Sequence, residues 1–334
     1  MTMIIRLCVY AVLTAAFGAA AAADASSRNL RLGYILPETH PQGAGARKIA
    51  ELAAQKSGGK IKIQTFGNGV LGDELKMAAA VQGGVLDLLI VTTSPVAGIV
   101  KELEILDIPF LFNNTQEVDA VLEGPVGAKL LEKMEPSGMV GLGWAEAGFR
   151  NITNSRRPLM KAEDLGGLKF RTMQSKAFLQ SFTALGANPV PLAFTELFTA
   201  LETKAVDGAE APTAVIEANK WYEVQKYLTI TRHAFASMVI VASKKVWDRL
   251  SADERRVLRE AVIEGGRFER AANREQEQKA LESLKAKGMV VNELTGPELV
   301  KLRAKVQPVA DSIAKDAGED LVKEMYREIA KVRK

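Results

Sequence analysis

The sequence predicts an α/β protein of two lobes, joined by short strands that cross between them and by one long helix. Strands and helices alternate along residues 30–144, and the alternation starts again near Arg150. No linker rich in proline, serine or glycine separates the two parts. Such alternation is typical of layers built on a mostly parallel sheet. A chain of 334 residues is long enough for two domains of ordinary size.

Residues 1–23 are predicted to be a secretory signal peptide. Arg6 precedes an apolar run from Leu7 to Phe17, and small residues continue to Ala23, where cleavage is expected. A membrane anchor is the alternative. The eleven residues of the run are fewer than the roughly 20 that span a bilayer, and this favours export.

Composition excludes several classes of function. Cys8 is the only cysteine and leaves with the signal peptide, so the mature chain has no disulfide, cysteine nucleophile or zinc–thiolate site. The 44 basic and 40 acidic residues give a net charge of +4, but they are interleaved, as in residues 254–256. We therefore predict no nucleic-acid binding. Because no later segment is long and apolar enough for a membrane span, the mature protein is predicted to be soluble and not membrane-inserted.

In the first unit, alternating apolar residues predict a strand over 30–36. The other predicted elements of this unit are helices at 43–57, 73–82 and near 116–135, and strands at 61–65, 86–91 and 140–144. The run at 86–91 is continuously apolar, which is typical of a parallel strand covered on both faces.

The second unit is predicted to contain a strand at 168–172, helices at 174–185 and 195–202, and a turn or short edge strand at 189–191. Residues 205–210 are predicted to lead into a further helix that begins at Glu210.

The C-terminal part is predicted to be helical. Capping boxes are predicted at Ser251–Glu254 and Thr295–Glu298. Residues 252–287 could form one helix of 36 residues that crosses between the lobes, with Gly265 and Gly266 as a candidate bending point. The apolar residues 299, 302, 306, 309 and 313 form one helical stripe. The predicted first lobe comprises 24–147 and 236–275, and the second comprises 148–235 and 276–334.

Catalytic and cofactor motifs are weak. Residues 67–72 match G-x-G-x-x-G between a strand and a helix, but Asp87, at the distance of a ribose-binding acid, precedes its strand instead of ending it. A helix N-terminus that meets a ligand oxygen remains an alternative. The chain has no G-x-S-x-G or H-E-x-x-H motif and two histidines, His40 and His233. We predict no enzyme activity, no cofactor and no metal.

Arg171 ends an apolar strand, where an arginine commonly forms a surface salt bridge. At a cleft between lobes, however, its planar guanidinium would suit a ligand carboxylate.

Several ordered motifs resemble one family. They are Leu71–Glu74, Gly148–Ser155, Gly167–Arg171, Val206–Glu210 and Tyr222–Tyr227. Together they are similar to the solute-binding subunits of tripartite ATP-independent periplasmic (TRAP) transporters, of the dicarboxylate-binding, DctP-like type. The resemblance covers nearly the whole mature chain. It implies the two-lobed periplasmic binding protein fold with hinge strands, a periplasmic location, and membrane subunits driven by an ion gradient as partners.

The resemblance also implies a ligand site for a C4-dicarboxylate, a sugar acid, or a hydroxy or oxo acid. Arg171 would form the main salt bridge to the ligand carboxylate, with support from Arg150, and Phe194 would pack on the carbon chain. Thr92 to Ser94 would line the first lobe, with His40 near the end of the first strand. The implied ligand-binding residues are Arg171, Arg150, Phe194, Glu74, Glu38, Thr93, Ser94, Glu146, Ala211 and Thr213.

One departure from the family concerns Ala211, which stands where members often carry asparagine. Alanine lacks the side-chain amide of that asparagine, so the identity of the ligand stays open. The resemblance further suggests a network of Arg150, Glu210 and His233 behind the ligand, which would connect binding to the hinge. A satisfied structural histidine is the alternative for His233.

Two other functional classes remain open from the residues alone. One is a receptor for an ATP-driven importer or a sensor kinase, and the other is a secreted hydrolase or lyase acting on organic acids.

Overall fold

The structure is a computed structural model and describes residues 27–333, so the predicted signal peptide lies outside the described residues. Its strands join in the order β2-β1-β3-β8-β4-β7-β5-β6, with β9 beside β8. Between residues 27 and 333, no helix has both the length and the apolar character needed to cross a membrane.

Nine strands lie in this part of the chain. They are β1 (Arg28–Tyr34), β2 (Ile61–Phe66), β3 (Leu88–Thr92), β4 (Met139–Asn154), β5 (Lys169–Thr172), β6 (Asn188–Pro191), β7 (Gly208–Pro212), β8 (Tyr227–Ser243) and β9 (Val290–Glu293).

The α-helices of the described residues lie between and after these strands. They are α1 (Pro41–Lys56), α2 (Glu74–Gly83), α3 (Thr93–Val96), α4 (Thr115–Leu122), α5 (Pro125–Glu132), α6 (Lys176–Ala184), α7 (Phe194–Glu202), α8 (Thr213–Ala218), α9 (Lys244–Trp247), α10 (Ala252–Ala286), α11 (Gly296–Ala317) and α12 (Glu319–Val332).

The two lobes share strands β4 and β8, which pair antiparallel with each other. On the first-lobe side β8 pairs with β3, and on the second-lobe side β4 pairs with β7. The predicted short crossing strands are wrong in length, because β4 has 16 residues and β8 has 17. Every residue of β4 is buried, so the strand shows no polar–apolar alternation by which the sequence could reveal its full extent.

Parallel strands lie on both sides of this shared pair. In the first lobe β1 pairs parallel with β2 and β3, and in the second β5 pairs parallel with β6 and β7. Ligands of α/β proteins bind at the carboxyl ends of such strands. The fold therefore directs the ends of β1, β3, β5 and β7 toward a common cleft.

Helix α10 runs unbroken through Gly265 and Gly266, which the sequence analysis treated as a candidate bending point. A Cβ on Gly265 would lie 2.4 Å from the side chain of Ile49 in α1, and one on Gly266 would lie 2.4 Å from the carbonyl oxygen of Trp144 in β4. The glycine pair thus permits close packing of α10 on both neighbours.

The C-terminal helices follow the prediction in part. The capping box at Ser251 is present, whereas Thr295 makes no side-chain capping bond, and Glu298 accepts a hydrogen bond from the backbone of Ala162 instead. The apolar stripe of α11 is buried as predicted, except that Leu299 is only partly covered.

Helix α12 packs against α4 and α5 of the first lobe, although the predicted second lobe includes residues 276–334. Lys129 of α5 pairs with Glu324, and Glu117 of α4 pairs with Arg333. The last turns of the chain therefore return to the first lobe.

Two further elements differ from prediction. The single helix expected near 116–135 is two helices, α4 and α5, because Gly124 and Pro125 separate them. Glu210 does not begin a helix but lies in the middle of β7, opposite Ile152 of β4.

Candidate functional site

A small cavity lies in the cleft, at the carboxyl ends of the parallel strands. Its polar lining consists of Glu74, Thr92, Arg150 and Arg171. Its apolar lining comes from Ile35, Leu36 and Ala147 on one side and from Met173, Phe194, Ala211 and Val215 on the other.

Arg171 is the third residue of β5 and is only 2 % exposed. Its Nε and Nη2 donate hydrogen bonds of 2.9 and 2.8 Å to the carbonyl oxygen of Leu192. Within residues 27–333 it forms no salt bridge with a carboxylate, and burial lowers its pKa to about 10. This guanidinium is thus held in a fixed orientation and retains roughly three of its five N–H donors for another partner.

Arg150 lies on β4 and is paired within the protein. Its Nε and Nη2 bind the two carboxylate oxygens of Glu210, and Nη2 also donates to the Glu210 carbonyl oxygen at 2.8 Å. Glu210 is fully buried; burial alone would raise its pKa, but the positive charge of Arg150 and contact with His233 lower it overall. Each of these two buried charges therefore has an opposite charge beside it, which a charge removed from water requires.

His233, on the other crossing strand β8, lies next to this pair. Its Nε2 is 3.4 Å from a carboxylate oxygen of Glu210, which is long for a hydrogen bond, and its Nδ1 lies 2.8 Å from the hydroxyl of Thr231. The structure therefore brings the predicted trio together and joins β4, β7 and β8 at the point where the lobes meet.

Glu74 is the acidic residue of the cavity lining. It begins α2 directly after Asp73, whose side chain caps the helix by accepting from the backbone of Lys76. Its Oε1 accepts a 3.0 Å hydrogen bond from the backbone N–H of Thr92, and burial raises its pKa. A carboxyl group has about four acceptor positions, so Glu74 can meet a ligand donor as well.

Phe194 is the first residue of α7, and its ring centre lies 6.0 Å from the Cζ atom of Arg171. At this distance the ring face and the cation attract each other. The phenyl ring therefore forms one wall of the cavity beside the free guanidinium.

The other predicted ligand residues do not line this cavity. Glu38 is exposed and lies 3.8 Å from Arg47. Thr93, Ser94 and Thr213 are buried and donate hydrogen bonds to Ser237, Asp107 and Glu277 respectively. His40 caps α1 through its Nδ1, which accepts from the backbone of Gln42.

Glu146, another predicted ligand residue, also lies away from this cavity. It is fully buried, but it faces α10, where its carboxylate binds Arg270 and Arg274. Its neighbour Ala147 lines the cavity. Successive residues of a strand point to opposite faces, so a sequence block that reaches the cleft contributes only part of its side chains to it.

Met173, Val215, Ile35 and Leu36 also line the cavity and were not predicted from the sequence. Each lies within three residues of a strand end, which is the signal that could have identified it. Nor was Asp107 predicted, a buried acid whose carboxylate accepts from Ser94 at 2.6 Å and from Ser175 at 3.1 Å.

The glycines at 67, 69 and 72 serve packing. A Cβ on Gly67 would lie 2.6 Å from the ring of Tyr34, and Gly69 has a φ of +62° and faces Thr195 across the cleft. These positions therefore need glycine for reasons of space and backbone conformation that do not involve a nucleotide.

Comparison with known proteins supports a common ancestry over nearly the whole described chain. The family model for bacterial extracellular solute-binding proteins of family 7 (DctP) matches residues 32–316. The 2,3-diketo-L-gulonate-binding periplasmic protein YiaO of Escherichia coli is 34% identical over 289 residues, covering 86% of this chain and 88% of its own. The C4-dicarboxylate-binding periplasmic protein DctP of Rhodobacter capsulatus is 30% identical over 295 residues, covering 88% of each chain.

A solved structure is similar as well. The sugar acid binding protein DctPAm from Advenella mimigardefordensis, in complex with galactonate, is 42% identical. The match covers 92% of this chain and 99% of that protein, with a TM-score of 0.89. The relatives thus share a fold and a preference for small organic acids, although the acids differ.

Proposed function

The chain belongs to family 7 of the bacterial extracellular solute-binding proteins, and we propose that it holds the carboxylate of its ligand on Arg171. It is a periplasmic solute-binding protein of the TRAP type and binds a small organic acid. The observation that carries the proposal is a buried, oriented guanidinium without a protein carboxylate among residues 27–333. Burying such a charge is costly unless a counterion arrives, and a ligand carboxylate is the natural one.

The other lining residues have separate roles in this proposal. Arg150, neutralised by Glu210, contributes its remaining donors beside the carboxylate. Phe194 and Met173 pack on the carbon chain, and Glu74 accepts a hydrogen bond from a polar group of the ligand. Because nothing in this set acts as a nucleophile poised beside a base, the bound acid leaves unchanged, and the protein transports instead of catalysing.

For the division into lobes we propose the boundaries expected from the sequence, with one change. The first lobe comprises residues up to 147 and 236–275, and the second comprises 148–235 and most of 276–334. The boundary near 147 is supported by the change of pairing register between Glu146 and Gly148. Helix α12 joins the first lobe, where it packs on α4.

In this mechanism the acid bridges the two lobes and favours their closure, which removes water from the Arg171–carboxylate pair and strengthens it. The closed surface is then recognised by the membrane subunits of the transporter. Export of the chain depends on the signal peptide at residues 1–23.

The proposal is tested by a thermal-shift screen of small organic acids, each paired with its neutral amide. An acid at about 100 times its Kd should add roughly 2.7 kcal/mol to the free energy of unfolding. The amide should add much less, because it lacks the charge that Arg171 binds. Equal stabilisation by acid and amide would contradict the role of Arg171, and recovery of a chemically altered acid would contradict a purely binding function.

A further inference from the structure

The charges that line the cavity limit the ligand to one carboxylate. Arg150 and Arg171 carry two positive charges, and Glu210 neutralises one of them. Even with the Glu74 carboxyl protonated, one positive charge remains for the ligand. A second ligand carboxylate would be buried without a counterion in the described lining, beside an acidic side chain, and an unpaired buried charge is strongly unfavourable.

The polar groups of the lining also limit the number of ligand hydroxyls. Apart from the two arginines, Glu74 and Thr92 are the polar side chains that line the cavity in the described part of the chain. A ligand hydroxyl that loses water without finding a partner weakens binding by about tenfold or more. Beyond the donors of the two arginines, the lining side chains can therefore satisfy one or two hydroxyls, on the side where α2 begins.

The remaining wall is apolar. Met173, Phe194, Ala211 and Val215 form it on the second-lobe side, and Ile35 and Leu36 face it from the first lobe. Ala211 is 2 % exposed and lines the same cavity as Arg171 and Phe194, to which it adds a methyl group. Such a wall favours methyl and methylene groups, and burying each CH₂ strengthens binding by about fourfold.

We propose that the ligand is a small monocarboxylate with one hydroxyl next to its carboxylate and a branched, apolar remainder. The proposal rests on the proposed function, because it takes Arg171 as the carboxylate partner. In this arrangement the carboxylate binds the free donors of Arg171, the hydroxyl donates to Glu74, and the branched carbon chain packs on Phe194 and Ala211. Polyhydroxylated sugar acids and dicarboxylates are disfavoured by the same residues.

Titration calorimetry with four acids tests this assignment. The probes are 2-hydroxy-3-methylbutanoate, its deoxy analogue 3-methylbutanoate, D-galactonate and succinate. The hydroxy acid should bind at least about tenfold more tightly than each of the other three. A tenfold ratio corresponds to roughly 1.4 kcal/mol, which is the free energy expected when one ligand hydroxyl gains a partner or when one polar group is spared burial without a partner. The neutral amide of the hydroxy acid serves as the control for charge.

The outcomes separate the two proposals. If galactonate or succinate binds most tightly, the substrate class is wrong and the role of Arg171 stands. If the hydroxy and deoxy acids bind equally, the contact with Glu74 is wrong and the substrate class fails with it. If no acid binds more tightly than the amide, the proposed function itself is overturned.

Two variants provide an independent check. Glu74→Gln should reduce the ratio of Kd values between the deoxy and hydroxy acids, because a neutral amide accepts a weaker hydrogen bond than a carboxylate. Ala211→Asn should move the preference toward galactonate by about tenfold, since it adds one hydrogen-bonding group to the apolar wall. Unchanged ratios in both variants would overturn the assignment, whereas a shift in either one supports the corresponding contact.

Discussion

Arg150 and Arg171 show how the partners of a residue determine its role. Both are buried arginines near the cleft, yet Glu210 neutralises Arg150, while the Arg171 side chain donates hydrogen bonds only to the carbonyl oxygen of Leu192 among the described residues. The planar guanidinium of Arg171 can therefore present two parallel donors to a carboxylate, which an ammonium group cannot do.

Replacing Arg171 with lysine tests this geometry. We expect Arg171→Lys to keep the fold and to weaken acid binding by about 30-fold or more, because a loss of roughly 2 kcal/mol or more is typical for a buried charge pair. Calorimetry on the wild type and the variant measures the effect.

Arg157→Lys is the matched control. Arg157 also uses Nε and Nη2 on a backbone carbonyl, that of Asp164, but it does not line the cavity. Its replacement should leave acid binding unchanged. A change of less than about threefold in Arg171→Lys, equivalent to roughly 0.65 kcal/mol, would contradict the assignment.

At the residue scale, the sequence predicted part of the cavity lining and missed the rest for a physical reason. Arg150, Arg171, Phe194, Glu74 and Ala211 all line the cavity. Four of them lie at or near the end of a strand or the beginning of a helix, whereas Arg150 lies within the crossing strand β4. Other side chains of the same sequence motifs point away from the cavity. The direction of a side chain depends on the pleat and on local bulges, such as the register shift between Glu146 and Gly148, which the sequence does not display.

At the scale of elements, the 3₁₀-helix at Lys101–Asp107 connects the lobes through its last residue. The carboxylate of Asp107 accepts from Ser94 in the first lobe and from Ser175, immediately before α6, in the second. Burial raises the pKa of Asp107 to about 7, although both serines act in the opposite direction. No feature of the sequence marks this acid, since its 3₁₀-helix is covered by α3, α6, α11 and β8 together.

The raised pKa predicts a pH-dependent contribution to stability. The unfolded chain releases this proton near pH 4 and the folded protein near pH 7. The contribution of Asp107 is therefore present below about pH 4 and is lost as the pH rises toward 7. Asparagine does not titrate, so this loss should disappear in Asp107→Asn. The Tm of the variant minus the Tm of the wild type should therefore increase from pH 4 to pH 7 and then level off.

Asp316→Asn is a suitable control, because Asp316 is an exposed aspartate whose pKa is lowered by Lys176. Its variant should show no such increase over the same range. Parallel melting curves for Asp107→Asn and the wild type across this range would contradict the expected titration.

Long strands and a long helix explain why element boundaries near the hinge were the hardest to predict. Strand β8 is almost entirely buried, and its apolar stretch from Met238 to Ala242 has no polar alternation to distinguish a strand from a helix. Helix α10 was predicted nearly to the residue, because a capping box at Ser251 marks its start and a polar, helix-favouring composition continues through it.

At the scale of the whole molecule, the Arg150–Glu210–His233 trio lies where both crossing strands meet the second lobe. Arg150 is on β4, His233 is on β8, and Glu210 is on β7 between Arg150 and His233. Movement of one lobe against the other requires these strands to bend or twist. A buried pair that fixes their relative position is therefore expected to couple the ligand-binding arginines to closure.

Small-angle scattering on Glu210→Gln, free and saturated with ligand, tests this coupling. The neutral side chain leaves Arg150 as a buried cation without its counterion, which costs about 3–5 kcal/mol where a buried pair is broken. We expect a folded but less stable protein that binds acid more weakly and compacts less on saturation than the wild type. Glu117→Gln is the control, because the Glu117 side chain is also buried and accepts from Nε and Nη2 of Arg333 at 2.8 Å each, although Arg333 is more exposed than Arg150 and neither residue lines the cavity. That variant should lose stability while compacting as the wild type does. If Glu210→Gln also binds and compacts like the wild type, the trio is structural and does not couple binding to closure.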